Sequence, residues 1–250
     1  MSAQREHALV VGASSGIGCA IATRLRGRGT RVSALSRRPA PAQAADASFA
    51  CDVTVPGKLE QAMAAAVAAH GPADLLVYAA GLPVMGRTLS VPPDQARLAF
   101  ELNFWGLDRA VRQVLPAMAA RGRGTVLAVL SLSALRSIPF EAYYGASKAA
   151  AARYLGCLAQ EAERDGVRVK YLCPGFIDTG FLERGGWFGT SVPALTGSGL
   201  TEEEVAQAAL GLLDDERRFA VVGWKEGLLA LGDRLLPGLV EKWVRFRRRG

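Results

Sequence analysis

The sequence predicts a single α/β domain built on a doubly wound, mostly parallel sheet. Short apolar runs alternate along the chain with longer stretches of helical spacing, which is the pattern of repeated strand–helix–strand units. The chain has 250 residues, of which 50% are hydrophobic, so it can bury a large core. No linker, internal repeat or low-complexity tract divides it, and we expect residues 1–250 to form one domain.

The individual elements follow from this alternation. Strands that are buried on both faces of a parallel sheet appear as nearly continuous apolar runs. Such runs predict strands over residues 8–11, 31–35, 74–79, 125–130, 167–172 and 218–222. Helical spacing predicts helices over residues 16–28, 57–70, 94–121, 142–165 and 202–214. Two prolines in the short link between Ser36 and Ser48 leave little room for a crossover helix, so we expect that helix to be short or missing.

Composition and charge bear on location and partners. No stretch offers the roughly 20 consecutive apolar residues of a membrane-spanning helix, and the apolar run near the N-terminus is too short for a secretory signal. We therefore expect a cytoplasmic protein with its four scattered cysteines reduced. The net charge of +7 comes mainly from residues 217–250, which hold 9 basic and 3 acidic side chains. This charge is confined to the tail, which argues against a nucleic-acid-binding body.

A glycine-rich segment follows the first predicted strand and opens the first predicted helix. In this position Gly12 can make a tight turn, Gly16 can let the backbone approach a pyrophosphate, and Gly18 can permit close packing of helix on strand. The N–H groups at the start of the helix attract phosphates. The spacing differs from the common GxGxxG fingerprint, so an ordinary glycine-rich turn is the alternative. The candidate phosphate-binding residues are Gly12, Ser14, Ser15, Gly16, Ile17 and Gly18.

A second motif, Tyr144-Gly-Ala-Ser-Lys148, lies near the start of the fourth predicted helix. Side chains four residues apart share a helix face, so the Lys148 ammonium can stand near the Tyr144 phenol. A phenol with a pKa near 10 is a poor proton donor at neutral pH, and a fixed positive charge lowers that pKa. A Tyr–Lys pair of this spacing is also a common surface contact, and the adjacent Tyr143 falls outside the spacing.

Together, GASSGIG and YGASK resemble the short-chain dehydrogenase/reductase family of Rossmann folds, over roughly residues 7–222. The resemblance implies that the glycine motif binds a nicotinamide dinucleotide and that Tyr144 is the general acid and base. It implies further that Lys148 holds the nicotinamide ribose and lowers the pKa of Tyr144. The serine that polarises the substrate carbonyl corresponds to Ser131, with Ser133 as the nearby alternative. Asn103 corresponds to a helix asparagine that supports a proton relay toward the lysine.

The same resemblance implies further contacts with the cofactor. These residues are Asp52 and Val53 beside the adenine, Ala80 and Gly81 after the central strand, and Pro174, Gly175, Ile177 and Thr179 beside the nicotinamide. The segment Tyr78-Ala-Ala-Gly81 departs from the NNAG that the family usually has there. This departure puts a structural support of the central strand in doubt.

The choice of cofactor can be argued from charge. An acidic side chain after the second strand would accept the ribose hydroxyls of NAD and repel a 2′-phosphate. This sequence instead has Ser36-Arg37-Arg38 there, with no acid before Asp46. Arginine pairs bidentately with phosphate and stacks on adenine, so we expect NADP(H) to be favoured over NAD(H) through Arg37 and Arg38. Two solvated arginines in a turn are the alternative.

Two further segments are candidates for substrate and partner contacts. Residues 180–200 form a long irregular connection with apolar side chains, which is typical of a loop that closes over an apolar substrate, although a disordered surface loop is the alternative. Residues 226–250 combine apolar and basic side chains at helical spacing. Such a helix can cover its own domain, join a second subunit or lie peripherally on an anionic membrane. We expect a homo-oligomer.

The sequence therefore predicts an NADPH-dependent reductase of a ketone or aldehyde, with a hydrophobic substrate. This chemistry needs no metal. One rival is an NAD(P)-dependent alcohol or steroid-type dehydrogenase that works in the oxidative direction. A rival of another class is a dinucleotide-sensing protein without turnover. The intact Ser131, Tyr144 and Lys148 argue for the enzyme.

Overall fold

The computed structural model describes residues 6–177, 185–190, 199–223, 227–228 and 232. The strands are β1 (His7–Val11), β2 (Arg31–Ser36), β3 (Ala47–Ala50), β4 (Leu75–Tyr78), β5 (Val84–Gly86), β6 (Gly124–Val129), β7 (Val167–Pro174), β8 (Gly186–Phe188) and β9 (Phe219–Val222). The α-helices are α1 (Gly16–Gly27), α2 (Lys58–His70), α3 (Pro93–Phe100), α4 (Gly106–Ala120), α5 (Ala142–Ala162) and α6 (Glu202–Asp214).

Seven strands form one parallel sheet in the order β3-β2-β1-β4-β6-β7-β9. In its centre, Val10 of β1 pairs with Ala34 of β2 on one side and with Val77 of β4 on the other. The strand order reverses between β1 and β4, and ligands of doubly wound sheets bind in the crevice at such a point. The predicted fold class, a Rossmann fold with a parallel sheet, is confirmed.

Apolar side chains cover both faces of the sheet. Successive side chains of a strand point to opposite faces, and in β1 Leu9 and Val11 join one core while Ala8 and Val10 join the other. Helices α2, α4 and α5 close the first core, and helices α1 and α6 close the second. All residues of β1 and β4 are buried, which explains why their sequences are continuously apolar.

The predicted helix over residues 94–121 is divided in the structure. Helix α3 leads into a π-helical turn, Glu101–Trp105, and α4 follows at once. Within the described chain the link between β2 and β3 contains no helix, as its prolines predict. The small parallel pair β5 and β8 was not predicted, because three-residue strands carry too little pattern.

The predicted segments 180–200 and 226–250 fall largely outside the described residues. Of the first, residues 185–190 and 199–200 are described, and of the second, residues 227–228 and 232. Ile177, shortly before the first segment, forms a β-bridge with Leu200 at the end of that segment, so these two residues lie side by side. Among the helices that the structure describes, none has the length and hydropathy needed to cross a bilayer.

Candidate active site

A cavity of about 990 Å³ lies at the carboxyl ends of the central strands. This volume is at the upper end of the range typical of small-molecule and cofactor sites. The predicted site residues that line it are Gly12, Ser14, Ser15, Gly16, Ile17, Gly18, Arg37, Arg38, Asp52, Val53, Ala80, Gly81, Ser131, Tyr144, Lys148, Pro174, Gly175 and Ile177. Asn103 lies behind the wall, and Thr179 is outside the described residues.

The glycine-rich segment makes a tight turn that only glycine can occupy at two positions. Gly12 has a φ of +90°, and a Cβ there would lie 2.7 Å from the backbone nitrogen of Ala80. A Cβ on Gly18 would lie 2.3 Å from the carbonyl oxygen of Gly12. Helix α1 begins at Gly16 with no acidic residue in its first turn, so its N-terminus favours an anion. The segment therefore fits the pyrophosphate of a dinucleotide.

Charged side chains surround the end of β2. Arg37 and Arg38 are exposed at the rim of the cavity, and Asp52 lies nearby after β3. The Asp52 carboxylate accepts hydrogen bonds from the Thr54 backbone N–H at 3.0 Å and from the Thr54 hydroxyl at 2.7 Å. Partial burial acts to raise the pKa of Asp52, but these bonds and the charge of Arg37 hold it below its ordinary value. Two arginines at this end suit a phosphate-bearing ligand.

Ser131, Tyr144 and Lys148 come together at the ends of β6 and α5. Tyr144 and Lys148 occupy one face of α5 and are 5% and 3% exposed. The Ser131 hydroxyl makes a hydrogen bond with the Tyr144 phenol. The Lys148 ammonium donates to the Val129 carbonyl at 3.1 Å and lies 6.0 Å from the centre of the Tyr144 ring. The structure thus favours Ser131 over Ser133 as the partner of the tyrosine.

Burial sets the protonation of this pair. It raises the pKa of the Tyr144 phenol, against the smaller lowering effect of the Ser131 hydrogen bond. It lowers the pKa of Lys148 to about 8. In this arrangement the Lys148 ammonium is directed at the Val129 carbonyl, and the expected lowering of the Tyr144 phenol pKa by the lysine stays a prediction.

Asn103 sits in the π-helical turn and is 1% exposed. Its Oδ1 accepts from the Leu82 backbone N–H at 2.9 Å, and its Nδ2 donates to the Leu82 carbonyl at 3.1 Å and to the Ser147 hydroxyl at 2.9 Å. Ser147 in turn donates to the Tyr144 carbonyl at 2.7 Å. The amide thus joins the segment after β4 to α5, and a role of Asn103 in a proton relay stays a prediction.

Tyr78 supplies the support of the central strand that the departure from NNAG put in doubt. Its side chain is 1% exposed, and its hydroxyl donates to the Leu102 carbonyl in the π-helical turn at 2.6 Å. A Cβ on Gly106 would lie 2.3 Å from that hydroxyl oxygen. A tyrosine on β4 and a glycine on α4 therefore join the end of the central strand to the π-helical turn.

Glu141 is a cavity residue that the sequence motifs did not predict. It precedes α5, lines the cavity and accepts a short hydrogen bond from the Ser133 hydroxyl. Burial raises the pKa of Glu141, against the lowering effect of this bond. Its position three residues before Tyr144 in an otherwise uncharged stretch was the available signal.

The rest of the cavity wall near Tyr144 is apolar. It is formed by Leu82, Pro83, Met85, Leu98, Leu102, Ile138, Pro139, Phe140, Phe176 and Trp187. Phe140 has a φ of +72°, in the left-handed region, and its carbonyl accepts from the Gly86 N–H at 2.7 Å. Trp187, which belongs to the segment 180–200 that was expected to close over the substrate, lies on β8 beside β5.

The comparison with protein families decides the affiliation. The family model described as short chain dehydrogenase matches residues 6–185. The chain belongs to the short-chain dehydrogenase family. It is an NAD(P)-dependent oxidoreductase that acts on CH–OH or carbonyl groups.

Members of this family resemble the chain in sequence and in structure. A Streptomyces coelicolor relative named "Putative ketoacyl reductase" is 35% identical over 188 residues, which cover 70% of this chain and 71% of the relative. A solved short-chain dehydrogenase from Streptomyces avermitilis is 26% identical, has a TM-score of 0.83 and covers 98% of both chains. An actinorhodin polyketide ketoreductase solved with NADPH is 28% identical, has a TM-score of 0.76 and covers 89% of this chain and 97% of its own.

Proposed function

We propose that the protein is an NADPH-dependent reductase that converts a hydrophobic ketone or aldehyde into an alcohol. The observation that carries this proposal is that Ser131, Tyr144 and Lys148 line the same cavity as the glycine-rich segment. A proton donor and a site for a nicotinamide dinucleotide thus share one cleft at the carboxyl edge of the sheet.

The preference for NADPH rests on the charges around β2. Arg37 and Arg38 supply guanidinium groups at the rim where the adenine half of the dinucleotide lies by resemblance. The segment that directly follows β2 has no acid before Asp46 that would bind the ribose hydroxyls of NAD. The actinorhodin ketoreductase, which was solved with NADPH, is consistent with this preference.

The chemistry divides between the cofactor and three side chains. When bound, NADPH supplies the hydride that reduces the carbonyl carbon. Ser131 donates a hydrogen bond to the carbonyl oxygen and stabilises the negative charge that develops there. Tyr144 transfers its phenol proton to that oxygen, which completes the alcohol. Lys148 holds the ribose and carries a charge beside the phenolate that remains.

The apolar wall of the cavity supports a hydrophobic substrate. The side chains around Met85, Leu98, Ile138 and Trp187 offer few polar partners to a substrate beyond its carbonyl. A relative named as a ketoacyl reductase fits the same class, a ketone on an apolar chain.

The test is steady-state oxidation of NADPH with aldehydes, cyclic ketones and β-keto esters, for the parent, Tyr144→Phe and the control Tyr143→Phe. We expect Tyr144→Phe to lose about 100-fold or more of the parental kcat, because it has no proton to give. Tyr143 is not part of the cavity lining and its variant should stay close to the parent. NADPH binding, followed by fluorescence, checks that both variants are folded. Equal turnover by the parent and Tyr144→Phe would contradict the proposal, and NADPH binding without turnover of any carbonyl would favour the dinucleotide sensor.

The direction of the reaction, the oligomeric state and the cellular location stay predictions. Affinities for NADPH and NADP⁺ would separate a reductase from a dehydrogenase that works in the oxidative direction. The predicted homo-oligomer, the cytoplasmic location and a peripheral membrane contact depend on solution measurements, and the tail that would make the membrane contact lies almost wholly outside the described residues.

A further inference from the structure

The charged side chains that line the cavity lie at separate places along it. The arginines Arg37 and Arg38 and the acid Asp52 lie at the end of β2 and β3, where the nucleotide is expected. Lys148 also lines the cavity and lies beside Tyr144. Glu141 is the acidic side chain that the described lining places at the reacting end. A carboxyl therefore stands among apolar side chains next to the proton donor.

Glu141 is not used to cap the helix that it precedes. It occupies the N-cap position of α5, yet its side chain makes no hydrogen bond with the first-turn N–H groups. The carboxyl turns instead to the Ser133 hydroxyl, which lies 3.1 Å from the Ser131 hydroxyl. Two hydrogen bonds thus connect the Glu141 carboxyl, through Ser133, to the Ser131 hydroxyl. Ser131 is the group that donates to the substrate's carbonyl oxygen under the proposed function.

The carboxyl has capacity left for a ligand. Its Oε2 accepts from Ser133, and within the described part of the chain its Oε1 accepts no hydrogen bond and no cation pairs with either oxygen. An ionised carboxyl in an apolar cavity is costly unless a cation or hydrogen-bond donor compensates it. A substrate can provide that partner.

We propose that Glu141 selects ketones that carry a protonated amine on the carbon next to the carbonyl or on the following one, with an apolar remainder. This inference rests on the proposed reductase function and names its substrate class. The ammonium donates to Glu141 while the carbonyl oxygen of the same substrate accepts from Ser131 and Tyr144. The apolar remainder lies along Leu98, Ile138 and Trp187.

The test compares two ketones that differ in one group. An aminomethyl alkyl ketone and the matched ketone with a methyl group in place of the ammonium are reduced at neutral pH by the parent, Glu141→Gln and the control Glu161→Gln. The glutamine keeps the size of the side chain and an acceptor for Ser133 but removes the charge. Glu161 is exposed on α5 and is not part of the cavity lining.

We expect the ratio of kcat/KM for the amino ketone to that for the matched ketone to fall about 10- to 100-fold in Glu141→Gln, as for loss of a hydrogen bond between charged groups. Glu161→Gln should keep the parental ratio. If both ketones lose kcat/KM by the same factor in Glu141→Gln, the residue only positions Ser133 and the proposal is wrong. If the parent reduces the matched ketone but does not prefer the amino ketone, the proposed function stands and this inference falls.

A binding measurement separates the two proposals when no turnover is seen. Titration calorimetry with octylammonium and with octanol, in the presence of NADPH, measures the cation site without chemistry. We expect octylammonium to bind the parent about 10-fold or more tightly than Glu141→Gln, with no such difference for octanol. Equal affinities of the two proteins for octylammonium would overturn the assignment of Glu141 whatever the outcome of the reductase assay.

Discussion

Replacing Tyr78 by phenylalanine removes one oxygen atom from the centre of the molecule. In the structure this oxygen donates to the Leu102 carbonyl at 2.6 Å, and the side chain is 1% exposed. The phenylalanine fills nearly the same space, so the change isolates the hydrogen bond from the packing of the ring. What remains is a carbonyl in the π-helical turn that has lost its side-chain donor.

We expect Tyr78→Phe to lower the free energy of unfolding by about 1–3 kcal/mol, which is the cost of leaving a buried acceptor without its partner. For a domain of this size each kcal/mol corresponds to about 2–4 °C in Tm. Urea denaturation followed by circular dichroism gives the free energy, and a thermal melt gives the Tm. Tyr171→Phe is the matched control, because that ring stacks on Phe219 and its hydroxyl makes no hydrogen bond within the described residues. The control should stay within about 0.5 kcal/mol of the parent.

Gly106 extends the test to a double-mutant cycle. A Cβ at this position would lie 2.3 Å from the Tyr78 hydroxyl oxygen and 2.4 Å from Cγ1 of Val53. Gly106→Ala should therefore be destabilising alone and less so in the Tyr78→Phe background, where one of the two clashes is gone. We expect a coupling of at least about 0.5 kcal/mol. Additive effects, or a Tyr78→Phe variant as stable as Tyr171→Phe, would refute the idea that this tyrosine and glycine join the end of the central strand to the π-helical turn.

Three other predictions concern the cofactor and the fold. Arg37→Ala should raise KM for NADPH about 10- to 100-fold in steady-state assays and leave KM for NADH unchanged, since it removes a phosphate partner; equal rises for both cofactors would contradict the charge argument. Lys170→Met should lower the free energy of unfolding, measured in urea, by about 2–4 kcal/mol. The buried Lys170 ammonium donates to carbonyls that include those of Leu212 and Arg217, both at 3.0 Å. Lys58 is exposed, so Lys58→Met should leave the stability unchanged. Burial lowers the pKa of His7 below 6.5, so the unfolded chain binds the proton more tightly than the folded chain does. The free energy of unfolding at neutral pH should therefore decrease as the pH falls below about 6.5. Urea titrations of His7→Phe at a series of pH values should lack the contribution of His7 to this decrease.

The fold was predictable because its strands are buried on both faces. Continuous apolar runs such as Leu75–Tyr78 identify themselves without any tertiary information. The π-helical turn was not predictable, since it depends on contacts of Tyr78 with Leu102 and Gly106, which lie more than twenty residues further along the chain. The pairing of β5 with β8 joins segments about a hundred residues apart through three residues each, which leaves no periodic signal.

The candidate site also has features that the sequence predicts and features that it does not. Tyr144 and Lys148 were predictable because helical spacing alone places them on one face. The protonation of the pair was not, since it depends on how deeply α5 packs and on the Val129 carbonyl that the ammonium finds. Glu141 was not predictable, because an acid before a helix is common and its place in the cleft depends on the hydrogen bond from Ser133, eight residues earlier in the chain.

Phe140 lines the cleft and connects the loop before α5 to β5. Its left-handed backbone costs about 1–2 kcal/mol for a residue with a side chain, and it turns the carbonyl onto the N–H of Gly86. This turn and its hydrogen bond thus join the wall formed by β5 to the loop that carries Glu141. Glycine adopts this backbone conformation without strain, so Phe140→Gly would keep the turn and remove an aromatic ring from the cavity wall. Remodelling of the pocket for bulkier carbonyl compounds is therefore most direct at this residue, where one substitution enlarges the cavity without opposing the backbone conformation.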